Sequence, residues 1–365
     1  MNVYHKRILS NFYKLLENTP WIGHYILRLS LSVDVVSLTK LIPPALEAFA
    51  HITRLQDLTL EIGTIDQRAS WNSLSTSVQC ILQRFIRLPT IDTLTLVNIY
   101  DIPAIDMTSR KRLDFLTIIG PVSFHEEHRK DTTALSSAPK LLGLAYSPRL
   151  AQPSLNIFTK GKPPFDLGEL KYFCCYWAGI DEFYRLLFEN SPNLQNIHIC
   201  IRNGFHDQPT GLGHCLSFSL HSLVNLYINV DPYFSFLGDE ESNSLFKLCL
   251  ELREIARDNR IEYLSIRLLL QASSQREVEE IPWGRLDNLL LVPNTWTTLK
   301  QCDLWVYLDQ DNHYGSDINS ETFLTAARNV QESQLSRLIS NKSFKFNSFF
   351  NVGSKDYFVF MGVTH

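Results

Sequence analysis

The sequence predicts an α/β fold, an irregular solenoid with parallel strands on its concave face and helices and loops on its convex face. Three patterns support this prediction: a recurring apolar spacing, helical spacing between its copies, and a proline ahead of several copies. The stretch LPTIDTLTLVNIYDIP (88–103) shows the spacing clearly, with apolar side chains at Ile91, Leu94 and Leu96. Because Leu94 and Leu96 are two residues apart, both point to the same side of a strand.

The same spacing, apolar-x-x-apolar-x-apolar, recurs along the chain. Its copies begin at Ile26, Leu55, Ile91, Leu113, Leu141, Leu170, Leu194, Leu223, Ile261 and Leu299. The steps between copies run from 22 residues (Ile91 to Leu113) to 38 residues (Leu223 to Ile261), and most lie near the length of a leucine-rich repeat, about 20 to 29 residues. One such strand buries a single face, whereas a parallel stack buries a continuous core. We therefore predict a leucine-rich-repeat-like solenoid of about ten coils over residues 21–340.

The segments between the copies have apolar residues at three-to-four spacing, which predicts that helices alternate with the strands. Helices are expected at 37–52, 75–88, 179–191, 241–260, 284–292 and 320–339. Loops are expected at 120–138, 147–168 and 203–215, where this periodicity is lost. Proline ends the segment before the strand in RLPTIDTL, SAPKLLGL and NSPNLQNI, since it disfavours helix in the preceding residue. A capping helix is expected over 1–20 and a strand-like cap over 341–365.

Composition excludes several classes of function. The 365 residues carry a net charge of −4, which gives no basic surface for nucleic acid or an anionic membrane. The seven cysteines form no CxxC pair, which favours free thiols in a reducing compartment. No apolar run is long enough for a membrane span, and the N-terminus has no signal-peptide pattern. These features predict a cytoplasmic or nuclear protein.

The successive segments TPWIGHYILRLSL, ITRLQDLTLEI, LPTIDTLTLVNIYDIP and LDFLTIIG resemble the leucine-rich-repeat region of F-box-like proteins of mushroom-forming fungi. The resemblance covers most of the chain from about residue 10 onward. It implies a non-enzymatic protein–protein interaction scaffold that recognises substrates for a ubiquitin ligase.

The sequence departs from the pattern of these proteins in two ways. No F-box of the LPxEL…IF kind precedes the repeats, which argues against direct assembly with a cullin-ligase adaptor. The Asn position of the regular repeat holds Asp34, Gly63, Ile99 and Pro121 in the first four copies, so a regular Asn ladder is not expected.

If the strands stack, the residues between the apolar positions face the concave surface. The aromatic residues Phe115, Tyr172, Tyr227 and Tyr263 would then form a stripe, and His198 would lie beside it. Tyrosine offers a large contact area at low entropy cost, which suits the anchoring of a protein partner. These five residues are our predicted partner-binding residues. The alternative is that aromatic side chains are present only because they suit strands.

A second hypothesis is a small-ligand, metal-binding or enzymatic domain in the 172–215 region. Cys174 and His198 share a column on consecutive coils, but Cys175 belongs to the buried column and Cys200 is expected beyond the short strand. A structural zinc ion needs four converging ligands, so we predict no metal site. The loop HDQPTGLGHC (206–215) has no positioned nucleophile, so we predict no catalytic residues and no cofactor. A third hypothesis is a truncated or decaying F-box-like gene product.

Overall fold

A computed structural model of the chain describes residues 2–3, 6–33, 47–62, 69–107, 111–125, 138–147, 165–177, 182–201, 211–230, 244–256, 258–270, 272, 274–309 and 319–353. It divides into two compact units, Met1–Leu170 and Lys171–His365. Both units are built on parallel strands with helices between them. The predicted α/β class and the parallel strands are therefore confirmed.

In the first unit, the described strands of the main sheet are β1 (Asn2–Val3), β2 (Arg28–Val33), β3 (Asp57–Ile62), β5 (Thr93–Val97), β8 (Arg112–Ile119) and β10 (Lys140–Ser147), in this order and all parallel. Two short parallel pairs lie beside it: β4 (Ala69–Ser70) with β6 (Ile99–Tyr100), and β7 (Ile102–Pro103) with β9 (Phe124–His125). Its helices are α1 (Lys6–Asn18), α2 (Thr76–Ile86) and the single turn α3 (Ala104–Met107), with 3₁₀ turns at Pro20–Tyr25, Phe49–His51 and Trp71–Ser73.

In the second unit, the described strands are β11 (Tyr172–Trp177), β12 (Asn196–Ile201), β13 (Asn225–Val230), β14 (Tyr263–Leu270), β15 (Gln301–Asp309) and β16 (Lys345–Gly353). Each pairs in parallel with the next in chain order. The helices are α4 (Glu182–Glu189), α5 (Leu212–Leu216), α6 (Ser244–Ile255), α7 (Gln275–Glu280), α8 (Gly284–Leu290), α9 (Ser320–Ser333) and α10 (Ser336–Ile339). No helix in the described ranges is long and apolar enough to cross a membrane.

The repeated apolar spacing accounts for the strands. In every copy the second and third apolar positions lie in a strand and are at most 7% exposed. The register aligns them across neighbouring strands, as in Leu58, Leu94 and Leu116. The first apolar position precedes the strand in most copies, but Leu113 and Leu141 lie within β8 and β10.

The apolar side of the strands packs against the helices. In the second unit, the Phe173 ring of β11 lies 6.4 Å from the Tyr184 ring and 5.7 Å from the Phe188 ring, both on α4. At the other end of this unit, the Phe350 ring of β16 lies 5.9 Å from the Trp283 ring and 6.3 Å from the Phe323 ring of α9. Since side chains alternate along a strand, the residues between the apolar positions point away from these helices.

The sequence predicted most of the described helices, and local capping explains several of their first residues. Ser75, Ser274 and Asn319 each accept a hydrogen bond from a backbone N–H of the first turn of α2, α7 and α9. The predicted segment 320–339 is two helices, α9 and α10. Most of 37–52, 120–138 and 147–168 lies outside the described residues.

The predicted loop at 203–215 is wrong in its described part, where Leu212–Leu216 forms α5. The Glu251 carboxylate of α6 accepts hydrogen bonds from the backbone N–H groups of Gly211 and Gly213, each 2.8 Å long. The carboxylate thus accepts backbone N–H groups at the start of α5 that have no partner within the helix, although Glu251 is 38 residues from Gly213 in the chain. A Cβ at Gly213 would lie 2.7 Å from the Glu254 Cβ and 2.9 Å from the Glu251 carbonyl oxygen, so glycine allows the close approach.

The chain turns twice after β5, at Asn98 (φ 55°) and Asp101 (φ 59°). Asn and Asp tolerate this left-handed backbone better than most residues. The turns redirect Ile99–Tyr100 and Ile102–Pro103 into the two short pairs beside the main sheet.

Candidate docking face

The second unit presents a surface, which we call the polar face, made by the side chains of β11–β16 that point away from the helices. It contains Tyr172, Cys174, Asn196, His198, Cys200, Asn225, Tyr227, Asn229, Tyr263, Ser265, Arg267, Gln301, Asp303, Trp305, Tyr307, Asn347 and Phe349. Aromatic and hydrogen-bonding side chains predominate, and few are charged.

Asp303 lies at the centre of a hydrogen-bond network on the polar face. Its carboxylate accepts from the Tyr263 hydroxyl at 2.5 Å, from Gln301 Nε2 at 3.0 Å and from Asn347 Nδ2 at 2.6 Å. The Asp303 residue is only 6% exposed. Burial and the hydrogen bond to Asp303 raise the pKa of Tyr263. The carboxylate is thus held by neutral donors, and these bonds fix the positions of side chains on three neighbouring strands.

An aromatic row lies two residues further along the same strands, on the same side of the sheet. The Trp305 ring stacks on the Phe349 ring, with centroids 4.0 Å apart and planes at 19°. The Arg267 guanidinium lies 5.9 Å from the Trp305 ring centroid, and the register places Arg267 and Phe349 on the strands either side of Trp305. Within the described part of the chain, Arg267 forms no ion pair. Its positive charge is therefore available for an anionic group.

His198 belongs to a smaller cluster on β12 and β13. Asn229 Nδ2 donates to His198 Nε2 at 2.8 Å, and Cys200 Sγ lies 4.0 Å from the same nitrogen. Burial lowers the pKa of His198 to about 4, with a further contribution from the charge of Arg267. The ring is therefore neutral near pH 7, and its Nε2 lone pair accepts from an amide rather than serving as a base for a thiol.

The structure brings some of the predicted site residues together and separates others. The Tyr227 ring lies 5.3 Å from the Tyr263 ring and 5.9 Å from the His198 ring. Tyr172 is 51% exposed and lies three strands from Tyr263, at about 14 Å, by the usual strand spacing. Phe115 belongs to the other unit, where a Cβ at Gly143 would overlap its ring.

Sequence reasoning missed Arg267 and Trp305 as site residues because it stopped at the end of the apolar spacing. Asp303 lies within the spacing, between Cys302 and Leu304, and Phe349 lies on β16, which carries no copy of the spacing. Only the structure shows the contacts of these two residues. β14 is eight residues long and β15 is nine, so both strands continue beyond the last apolar position of the spacing. The continued alternation in YLSIRLLL and QCDLWVYLD was the available signal. The same error placed Cys200 beyond its strand, which is wrong because β12 runs to Ile201.

The two cysteines of β11 are poorly suited to act as nucleophiles. Burial raises the pKa of the Cys174 thiol, so this thiol stays protonated and weakly nucleophilic near pH 7. Cys175 is fully buried on the opposite side of the strand. The described residues contain no group of three or more His, Cys, Asp or Glu side chains placed to hold a metal ion. Comparisons with models of known protein families and with curated proteins found no match for the chain.

Proposed function

We propose that this chain is a non-enzymatic interaction protein that docks a protein partner on the polar face. In this proposal its parallel strands form an irregular leucine-rich-repeat-like solenoid, and the protein acts in the cytoplasm or nucleus. The observation that carries the proposal is the combination of large aromatic side chains with a hydrogen-bond network that holds their neighbours in place. Side chains that are ordered before binding lose less entropy when a partner arrives.

The composition of the polar face supports docking. Tyr, Trp and Arg are the residues that most often dominate the energy of protein interfaces. Tyr172 and Phe349, 51% and 37% exposed, provide accessible aromatic surface, and Arg267 provides a charge beside Trp305. The polar face thus combines anchors with neutral hydrogen-bonding groups, as the rims and centres of interfaces do.

The finer proposal, substrate recognition for a ubiquitin ligase, is supported by the resemblance to F-box-like proteins. It predicts that a partner bound at the polar face becomes ubiquitinated in cells that express this chain and that loss of the chain stabilises the partner. Recovery of a stable partner whose turnover is independent of the chain would remove the ligase role and leave the docking role.

Site-specific photocrosslinking tests the docking role. A photoreactive phenylalanine at Tyr172 on the polar face is expected to capture a discrete partner, whereas the same group at Leu324 on α9, 39% exposed, serves as the matched control. The purified partner should then bind the Trp305→Ala variant at least roughly tenfold more weakly than the unmodified chain, since aromatic hot spots contribute about 2 kcal/mol or more. Equal capture from both positions, or unchanged affinity of Trp305→Ala, contradicts the proposal.

A further inference from the structure

Two cations on the outward side of the second unit have no acidic partner among the described residues. Arg267 of β14 belongs to the polar face, and its recorded contact there is with the Trp305 ring. Lys345, the first residue of β16, is exposed and lies in register with Gln301. Its side chain therefore lies on the same side of the sheet as the polar face. Both positive charges are available to a binding partner.

The acidic side chain of the polar face, Asp303, forms no ion pair with either cation. Its carboxylate accepts hydrogen bonds from Tyr263, Gln301 and Asn347, and the residue is only 6% exposed. Three neutral donors thus surround this carboxylate and separate it from solvent. The charge that the polar face presents to an approaching molecule is therefore positive.

The charge of Arg267 acts across neighbouring strands. Burial lowers the pKa of His198 on β12, and the Arg267 charge lowers it further. Burial raises the pKa of Tyr227 on β13, and the same charge opposes that rise. An anionic group that lies over β12–β14 would experience the same field with a favourable sign.

This local charge is opposite to that of the whole chain, whose net charge is −4. Acidic molecules are therefore not attracted to the chain in general, and the attraction depends on close approach to Arg267 or Lys345. Two cations are also few for a nucleic acid, because proteins that bind it neutralise many phosphates, often about 6 to 10. These charges favour a protein segment with a few carboxylates.

Aromatic surface lies next to Arg267. The Trp305 ring stacks on the Phe349 ring, which is 37% exposed, and the Tyr307 ring lies parallel to Trp305 at 6.3 Å. By strand spacing and rise, Arg267 is about 10 Å from Phe349 and about 16 Å from Lys345. An extended segment of about five residues spans the longer distance. One short segment can therefore contact both cations and the aromatic stack.

We propose that the polar face binds an extended acidic segment of a protein partner. One Asp or Glu side chain of the segment contacts Arg267, an apolar side chain contacts the Trp305–Phe349 stack, and a second acidic side chain about five residues away contacts Lys345. This inference rests on the docking role proposed for the polar face and adds the chemistry of the partner.

Random peptides displayed on phage and selected on the immobilised full chain test this preference. The peptides are joined to the phage through their C-termini, so that every peptide carboxylate belongs to Asp or Glu. Selected peptides should be enriched in acidic residues beside aromatic or aliphatic ones and should lose binding to the Trp305→Ala chain. Peptides that need Trp305 but show no acidic enrichment overturn the acidic preference and leave the docking role. Failure to select any peptide that needs Trp305 contradicts both.

Single replacements then locate the charge contact. Fluorescence polarisation compares the most enriched peptide with analogues in which one Asp or Glu becomes Asn or Gln. At least one analogue should bind the unmodified chain about tenfold more weakly, the effect of one lost charged hydrogen bond. The same replacement should have no effect on binding to Arg267→Gln, because both changes remove one interaction. Arg267→Lys keeps the charge and should keep most of the preference.

Two further variants complete the comparison. Lys345→Gln should weaken binding of the acidic peptide about two- to threefold, as for an exposed ion pair. Arg328→Gln, at an exposed position on α9, is the matched control and should leave binding unchanged. A tenfold acidic preference that persists in Arg267→Gln overturns the proposal. So does displacement of the peptide by a single-stranded oligonucleotide, or self-association of the full chain that Arg267→Gln abolishes, since these assign the face to nucleic acid or to a second copy.

Discussion

The two compact units have the same strand pattern but present different side chains on the outward face. In the first unit, Ser30, Thr59, Thr95 and Thr117 lie in register on neighbouring strands. In the second unit, the equivalent row reads Cys174, His198, Tyr227, Ser265, Asp303 and Asn347. One unit thus carries a ladder of small hydroxyl side chains, and the other carries rings, amides and a carboxylate.

This difference shows that the residues that form the core are distinct from the residues that could contact a partner. The inward positions are apolar in both units, and their strands pair in the same parallel manner. Because successive side chains in a strand point to opposite sides, the outward positions can change without disturbing the core. The small side chains of this row in the first unit provide little surface for anchoring a partner, whereas the equivalent row of the polar face provides several large groups in fixed positions.

The largest expected effects concern the inward positions, where the two units should behave alike. Leu96→Ala in β5 and Ile228→Ala in β13 each remove a fully buried side chain. Each should lower the free energy of unfolding of its own unit by about 2–5 kcal/mol, through lost burial and the cavity left behind. Urea unfolding followed by hydrogen exchange of peptides from each unit measures this. If only one of the two variants lowers the free energy of unfolding of its unit, the repeated apolar spacing does not have the same role in both units.

The second prediction separates the units by pH. The pKa of His198 is about 4 in the folded chain and about 6.5 when unfolded. Below pH 6.5 the unfolded chain therefore binds more protons, and the folded state loses stability as the pH falls towards 4. The His198 contribution should decrease by about 2 kcal/mol between pH 7 and pH 5.

The measurement compares urea unfolding of the second unit at both pH values for the unmodified chain and for His198→Gln. The variant should lose this part of the pH dependence. His221→Gln, at an exposed position of the same unit, is the control and should keep it. Parallel pH profiles for the unmodified chain and His198→Gln would contradict the prediction.

The third prediction concerns the network around Asp303. Asp303→Ala removes the acceptor of hydrogen bonds from Tyr263, Gln301 and Asn347. The free energy of unfolding of the second unit should fall by about 1–3 kcal/mol, because the donors lose their partner in a partly buried site. Tyr263→Phe removes one of these bonds and should have a smaller effect. Equal losses from both variants would show that the three bonds do not act as a network.

The smallest effect is expected in the first unit. Thr95→Ala and Thr117→Ala change half-buried hydroxyl side chains in the ladder and leave the inward positions intact. Each should alter stability by no more than about 0.5 kcal/mol, as for ordinary surface positions. Neither should affect partner capture at Tyr172. A loss of about 2 kcal/mol or more from either variant would show that the outward face of the first unit is also structural.

Much of the fold and part of the site could be predicted from local patterns. The apolar spacing placed all of the strands that carry its ten copies, and helical spacing placed α2, α4, α6, α8 and α9. The pairing of Cys174 with His198 across two strands also followed from the spacing. Arg267 and Trp305 were missed because their strands extend past the apolar spacing. Asp303 lies within the spacing and Phe349 on a strand without a copy of it, so only the structure shows their contacts.

By itself, the sequence determined where the strands lie, which side chains are buried and that the strands stack in parallel. These properties depend on spacing over a few residues, which any reader of the chain can measure. Only the tertiary structure decided which outward side chains meet, as Asp303 meets Asn347 from 44 residues away. It also decided the capping of α5 by Glu251. The reason is that such contacts join residues far apart in the chain, and their distances are set by strand register and helix packing.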